Sequence, residues 1–305
     1  MPIALYSPPS CLLHEMGGGH PEQPARLSNI NDLLAKSTLA DDIQQLDAVA
    51  ATKEQLKAVH DPAYVDVIFD SAPSSGYLSL DGDTSMNCHS LEAALDAAGS
   101  VISAVDSVMG DNYKRAFCAV RPPGHHAEYD RAMGFCIFNN IAVGAGHAFN
   151  HHQLERIAIV DFDVHHGNGT EDIFFDNERL LFCSSFQHPF YPFSDANRTN
   201  EHIIKTPLPS GADGALFRDK ISAQWLPVID SFEPQLIMIS AGFDAHREDF
   251  LANLNLREED YQWVTEELVK LADTYSEGRI ISVLEGGYDL SALSRSVLAH
   301  LQALT

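Results

Sequence analysis

The chain has 305 residues, 45% of them hydrophobic, with 43 acidic against 19 basic side chains and a formal net charge of −24. That length and apolar content suffice for a substantial buried core. The charge argues against a phosphate backbone as partner, because nucleic-acid binding needs a basic footprint, and no apolar stretch approaches the roughly 20 residues that span a bilayer.

The start, MPIALYSPPS, lacks the basic and long apolar regions of a secretory signal. Five cysteines, odd in number and forming no CxxC pair, are expected to be reduced thiols of a cytoplasmic protein. The acidic excess reads as a solvated surface suited to high salt, and also as a field that draws cationic substrates.

Residues 10–24 (SCLLHEMGGGHPEQP) form a Gly- and Pro-rich loop, after which a helix is predicted over Pro24–Lys36. A second loop, 71–90, leads into a helix over Leu91–Met109. The run AFCAV then reads as a parallel strand covered on both faces. It ends in RPPGHHAE, which sets His125 and His126 behind the rigid pair Pro122 and Pro123. A helix over Asn140–Asn150 follows, and His151 with His152 reads as a surface pair with no other ligand nearby. The run RIAIV ends in DFDVHHGNGT, LIMIS ends in SAGFDAH, and IISVL ends in EGGYD. Helices over Glu258–Tyr275 and Ser291–Leu304 complete the alternation, and 187–214 is a third loop expected, with the first two, to wrap the mouth of a site. This order predicts an α/β fold with a mostly parallel sheet and helices on both faces. One domain, 1–305, is expected, because the polar clusters would otherwise be shared across a boundary.

Ligands of such sheets bind outside the carboxyl ends of the strands. Side chains two apart at a strand end project to one side, so Asp161, Asp163 and His165 can face one point. With Asp244 from another strand, Asp163 and His165 make three zinc ligands, which leave a position open as in a catalytic site. A carboxylate partner holds an imidazole protonated, whereas an amide orients it with less effect. Asp161 is therefore expected to support a charged His125, and Asn168 a neutral His126 that acts as general base and then general acid on metal-activated water. Tyr288, after two glycines, can donate to an oxyanion opposite the metal. The set describes a hydrolase.

The ordered motifs RPPGHHAE, GFCIFNN, DFDVHHGNGT, SAGFDAH and EGGY resemble the zinc-dependent histone deacetylase family, from HPEQPARL near residue 20 to EGGYDL near 285. Asn168, where class I members carry Asp, points to the class II branch and its bacterial relatives, including acetylpolyamine amidohydrolases and histone deacetylase-like amidohydrolases. The resemblance implies the arginase/deacetylase fold, with a mostly parallel sheet of about eight strands. It implies Zn²⁺ at Asp163, His165 and Asp244, and structural K⁺ near Asp161, Asp163, His165, Ser184 and the backbone of Ser185. Gly134 and Phe135 of GFC, Tyr191 and Leu251 match positions of the acyl-lysine tunnel. A homodimer through the mouth loops is compatible with the family pattern.

The implied reaction is removal of acetyl groups from N-acetylated amines. Acidic loops favour a small cation such as acetylputrescine or acetylcadaverine, with Glu15 as candidate ammonium partner. Leu251 stands where a specialised eukaryotic polyamine deacetylase has Glu, so a protein acetyl-lysine substrate is the alternative. Remoter readings are an arginase-type amidinohydrolase with two manganese ions, for which SAGFDAH offers one carboxylate only, and a non-catalytic protein that binds an acetylated ligand.

Overall fold

Each of the four apolar runs forms a strand, and the four strands lie side by side. The computed structural model describes residues 2–305. Its strands are β1 (Ile3–Tyr6), β2 (Ile43–Leu46), β3 (Leu78–Ser79), β4 (Ser85–Met86), β5 (Arg115–Cys118), β6 (Ile157–Asp161), β7 (Leu180–Gln187), β8 (Ile203–Leu208), β9 (Leu236–Ala241) and β10 (Ile280–Leu284). Eight of them build one sheet in the order β2-β1-β5-β10-β9-β6-β7-β8, and every pairing in it is parallel. It is the sheet of about eight parallel strands, covered by helices, that the sequence leads one to expect.

Burial explains the composition. Every residue of β6, β7, β9 and β10 is buried, as expected where helices cover both faces of a parallel sheet. The helices Ser90–Met109 and Asn140–Asn150 pack together, while Ala25–Lys36, Glu258–Tyr275 and Leu290–Leu304 form a second group. All five cysteines are free, and only Cys88 is exposed. No described helix is long and apolar enough to cross a membrane.

The predicted helices hold to within a residue at either end. Two expected loops contain more order than their composition suggests. Residues 187–214 include β8, an edge strand that tolerates Lys205 and Pro207 because one side of it needs no partner. Residues 71–90 include the short antiparallel pair β3 and β4.

The 10–24 loop is tied to the sheet by buried ions. Arg121, just beyond β5, donates from Nε and Nη2 to both carboxylate oxygens of Glu22, while Nη1 donates to the carbonyl of Cys11 (2.8 Å) and Nη2 also to that of His14 (3.0 Å). Arg26 donates to Glu22 Oε1 (3.0 Å), to the carbonyl of Gly287 (2.7 Å) and to that of Glu285. Burial opposes ionisation of Glu22, but Arg121, His14 and Arg26 outweigh it and hold the carboxyl at about 2. Removing one member of a buried ion group costs about 3–5 kcal/mol, so Glu22→Gln should lower unfolding stability by that order in urea titrations at neutral pH. A depressed carboxyl contributes stability above its ordinary 4.5 that is lost as pH falls through about 2. The difference between wild type and Glu22→Gln should therefore shrink toward pH 2.

Candidate functional site

Register fixes where the chemistry lies. Asp161, the last residue of β6, pairs with Ser184 of β7 and Ser240 of β9, while β10 reaches its end at Leu284 opposite Ala241. The next residues of each strand therefore turn over one edge. Asp163, His165 and Asp244 meet there, offering ligand atoms that all lie within 4.8 Å of one another. His165 Nδ1 is 3.0 Å from Asp163 Oδ1 and 3.2 Å from Asp244 Oδ2.

Backbone amides hold both carboxylates in place. Gly286 N–H donates to Asp163 Oδ2 (2.8 Å), His165 N–H to Asp163 Oδ1 (2.8 Å), and Val164 N–H to Asp244 Oδ1 (2.9 Å). Asp244 Oδ2 is buried without a hydrogen bond of its own. Burial would lower His165, yet Asp163 and Asp244 lift it to about 10. A field that retains a proton so firmly suits a divalent cation in the proton's place. Two carboxylates, one of them with an orphaned buried oxygen, and one imidazole fit Zn²⁺ or a similar ion.

Asp161 does not join this trio. Its Oδ1 accepts from Asp163 N–H (3.1 Å) and its Oδ2 lies 2.8 Å from His125 Nδ1. Burial alone would lower His125, but Asp161, Asp163 and Glu285 outweigh it and raise it to about 10. Glu285 also accepts from the amides of Gly124 (2.7 Å) and His125 (3.1 Å), so the turn carrying both histidines is anchored from β10. His126 Nδ1 sits 2.7 Å from Asn168 Oδ1. Burial and the neighbouring charges of His125 and His165 push His126 well below the ordinary imidazole value. Adjacent residues thus carry one charged and one neutral ring.

A cavity of about 210 Å³ opens onto this floor. Its walls include Gly134, Phe135, Tyr191, Leu251 and Tyr288, all singled out in the sequence, together with Asp83 and Phe190, which were not. Phe190 stacks on the His165 ring at 5.4 Å and 18°, while Tyr191 presents an edge to His126 at 5.3 Å. Tyr288 is positioned by Asp249, whose Oδ2 accepts from the amides of Tyr288 (2.6 Å) and Asp289 (3.0 Å), and by the Asp289 cap of the last helix. Burial and the charge of Asp244 keep its phenol protonated.

Glu15 does not line the cavity. Its neighbours His14 and Met16 are buried, which turns Glu15 out to solvent. The acid at the cavity is Asp83, and its signal in the sequence was the DGDT turn between β3 and β4. Ser184 lies beside Asp161, but its hydroxyl is engaged with His166 Nδ1 (2.9 Å); Ser185 is its buried neighbour.

Residues 20–304 match the histone deacetylase domain. The chain belongs to that family. It is 36% identical to Type-2 histone deacetylase 2 of Dictyostelium discoideum over 99% of its own length, but spans only 20% of that protein. It is 34% identical to the histone deacetylase-like amidohydrolase of Pseudomonas aeruginosa, covering 94% of this chain and 77% of the other. The crystal structure of the HDA15 HD domain superposes with a TM-score of 0.91 at 33% identity, covering 100% of this chain and 90% of that one. The family's chemistry is hydrolysis of the deacetylase and amidohydrolase type, and the Asp163, His165, Asp244 cluster is consistent with its metal dependence.

Gly286 is what lets the backbone reach Asp163. A methyl group there would lie 2.2 Å from Asp244 Oδ2 and 2.6 Å from Asp163 Oδ2. Gly286→Ala should therefore abolish Zn²⁺ binding at this cluster, measured by equilibrium dialysis, with far-ultraviolet circular dichroism unchanged. Undiminished affinity at these ligands would count against the cluster as the metal centre.

Proposed function

We propose that this chain is a metal-dependent deacetylase acting on N-acetylated amines, foremost small acetylpolyamines such as N-acetylputrescine and N-acetylcadaverine, with residues 1–305 as one catalytic domain. The observation that carries the reading is the floor of the cavity. Two adjacent imidazoles with a carboxylate partner and an amide partner stand beside three convergent metal donors.

When bound by Asp163, His165 and Asp244, a divalent ion such as Zn²⁺ would polarise the acetyl carbonyl and make water a better nucleophile. The chain's residues supply the rest. Phe135 and Phe190 flank the path of the acyl chain and keep water from it. Neutral His126 takes a proton from the water that attacks the carbonyl carbon, and Asn168 keeps the ring oriented. Tyr288 donates a hydrogen bond from its phenolic O–H to the developing oxyanion and keeps its proton. Charged His125, paired with Asp161, stabilises that negative charge without giving up its proton. His126 then returns its proton to the amine nitrogen as the C–N bond breaks, releasing acetate and the free amine. K⁺, if held by Asp161, Asp163, His165, Ser184 and Ser185, would brace the turn after β6.

Asp83 supports a cationic substrate. It is exposed at a cavity whose deeper walls are mainly apolar, in a chain of net charge −24. N-acetylcadaverine would carry its ammonium near the mouth, where Asp83 can meet it. The protein acetyl-lysine reading draws on Leu251, a cavity-lining residue that offers no carboxylate to a substrate ammonium. An arginase-type pair of manganese ions lacks spare bridging carboxylates, because Asp161 serves His125 and Asp249 serves the amides of Tyr288 and Asp289.

Substituting His126 with Ala should lower kcat by about 10²–10⁴-fold, measured in chains that retain native circular dichroism. Asn168→Asp should raise the pKa of His126. Because the base must be neutral to accept a proton, the acid limb of the pH–rate profile should move to higher pH. A separate comparison concerns substrate. The value of kcat/KM should be higher for N-acetylputrescine and N-acetylcadaverine than for an acetyl-lysine peptide, and Asp83→Asn should raise KM for the diamines several-fold. A strong peptide preference would reverse the substrate assignment while leaving the deacetylase chemistry intact.

A further inference from the structure

The Asn140–Asn150 helix runs away from the catalytic edge. Asn139 and Asn140 begin it beside the turn of His125 and His126, donating to the carbonyls of Ala127 and Pro122. His147 occupies its last turn, and His151 and His152 follow at once. Asp106, on the adjoining Ser90–Met109 helix, faces them. The geometry points to a second divalent-metal site made by Asp106, His147, His151 and His152, separate from the cluster at Asp163, His165 and Asp244.

Sequence alone made His151 and His152 a surface pair; folding supplies the other two ligands. All four residues offer ligand atoms within 4.8 Å of one another. The Nε2 atoms of His147 and His152 each lie 2.7 Å from the same oxygen, Oδ1 of Asp106. His151, four residues after His147, stacks on its ring at 4.9 Å and 13°. The His152 ring lies 5.5 Å from that of His147 and 5.0 Å from that of His151. A tetrahedral zinc with bonds of about 2.0–2.1 Å holds its donors roughly 3.3 Å apart. Half-buried and exposed side chains at a helix end can reach that spacing by rotamer adjustment.

Donor chemistry selects the ion. Three imidazoles and one carboxylate suit Zn²⁺, Cu²⁺ or Ni²⁺ and disfavour the all-oxygen preferences of Mg²⁺ and Ca²⁺. The net charge of −24 concentrates cations near this surface. Bound there, the ion would clasp the Ser90–Met109 helix to the end of the Asn140–Asn150 helix.

The test is a metal count on the full chain equilibrated with excess Zn²⁺ at neutral pH and then dialysed. His147→Gln/His152→Gln and Asp106→Asn remove the proposed ligands, and Gly286→Ala disables the catalytic cluster. Two Zn²⁺ per wild-type chain and one in each variant are expected. The rise in Tm on adding Zn²⁺ to Gly286→Ala should vanish when His147→Gln/His152→Gln is combined with it. Turnover of His147→Gln/His152→Gln should equal that of wild type, which also reports that this chain is folded. Two Zn²⁺ retained by His147→Gln/His152→Gln and by Asp106→Asn, or a single wild-type Zn²⁺ that Gly286→Ala abolishes, would overturn the second site.

Discussion

Surplus negative charge buried at one strand edge is the constraint from which the rest of the site follows. Asp161, Asp163, Asp244 and Glu285 are all buried there, and the side-chain positive charge among them is that of His125 and His165. Isolated buried charges cost several kcal/mol each, so every carboxylate must find compensation. Amides of Gly124, His125, Val164, His165 and Gly286 supply part of it. The remainder favours a cation between Asp163 and Asp244. The same surplus keeps His125 charged, and that charge, with burial, helps hold His126 neutral.

A second buried ion group has the opposite balance and a different task. Arg26 and Arg121 surround the single carboxylate of Glu22, and their remaining hydrogens go to backbone carbonyls of the 10–24 loop and of the turn after β10. These bonds link a mouth loop to the Gly286–Gly287–Tyr288 turn. Arg26 also lies over the Tyr288 ring at 5.1 Å. Tyr288 is thus held by groups from two distant stretches, Arg26 of the helix after the first loop and the turn bearing Asp249, and by the helix cap at the adjoining Asp289.

Legibility in the sequence tracked how local the physical cause was. Central strands announced themselves because burial on both faces demands an unbroken apolar run, as in LIMIS and IISVL. The convergence of Asp163, His165 and Asp244 was readable because strand ends deliver their residues to one edge. Edge strand β8 was obscured by Lys205 and Pro207, residues that only a half-paired strand accepts. Asp83 and Phe190 were hidden in loops, whose side-chain directions depend on contacts far away in the chain. Glu15 looked equivalent to Asp83 by composition, and only the buried flanks His14 and Met16 decide which way it faces. His147 and Asp106 escaped notice for a similar reason, since one lies within an ordinary helical pattern and the other on a neighbouring helix.

Gly242 and Gly286 carry a consequence for how this chain can diverge. A β-carbon on either would fall 1.9 Å or 2.6 Å from the same oxygen, Asp163 Oδ2. A side chain at either position would have to displace the Asp163 carboxylate, so substitution there costs the cluster before it costs the fold. Cavity walls contributed by residues such as Asp83, Phe190 and Leu251 face no such constraint. Descendants of this scaffold are free to acquire new tastes in substrate by remodelling the entrance, while the bottom of the pocket stays frozen.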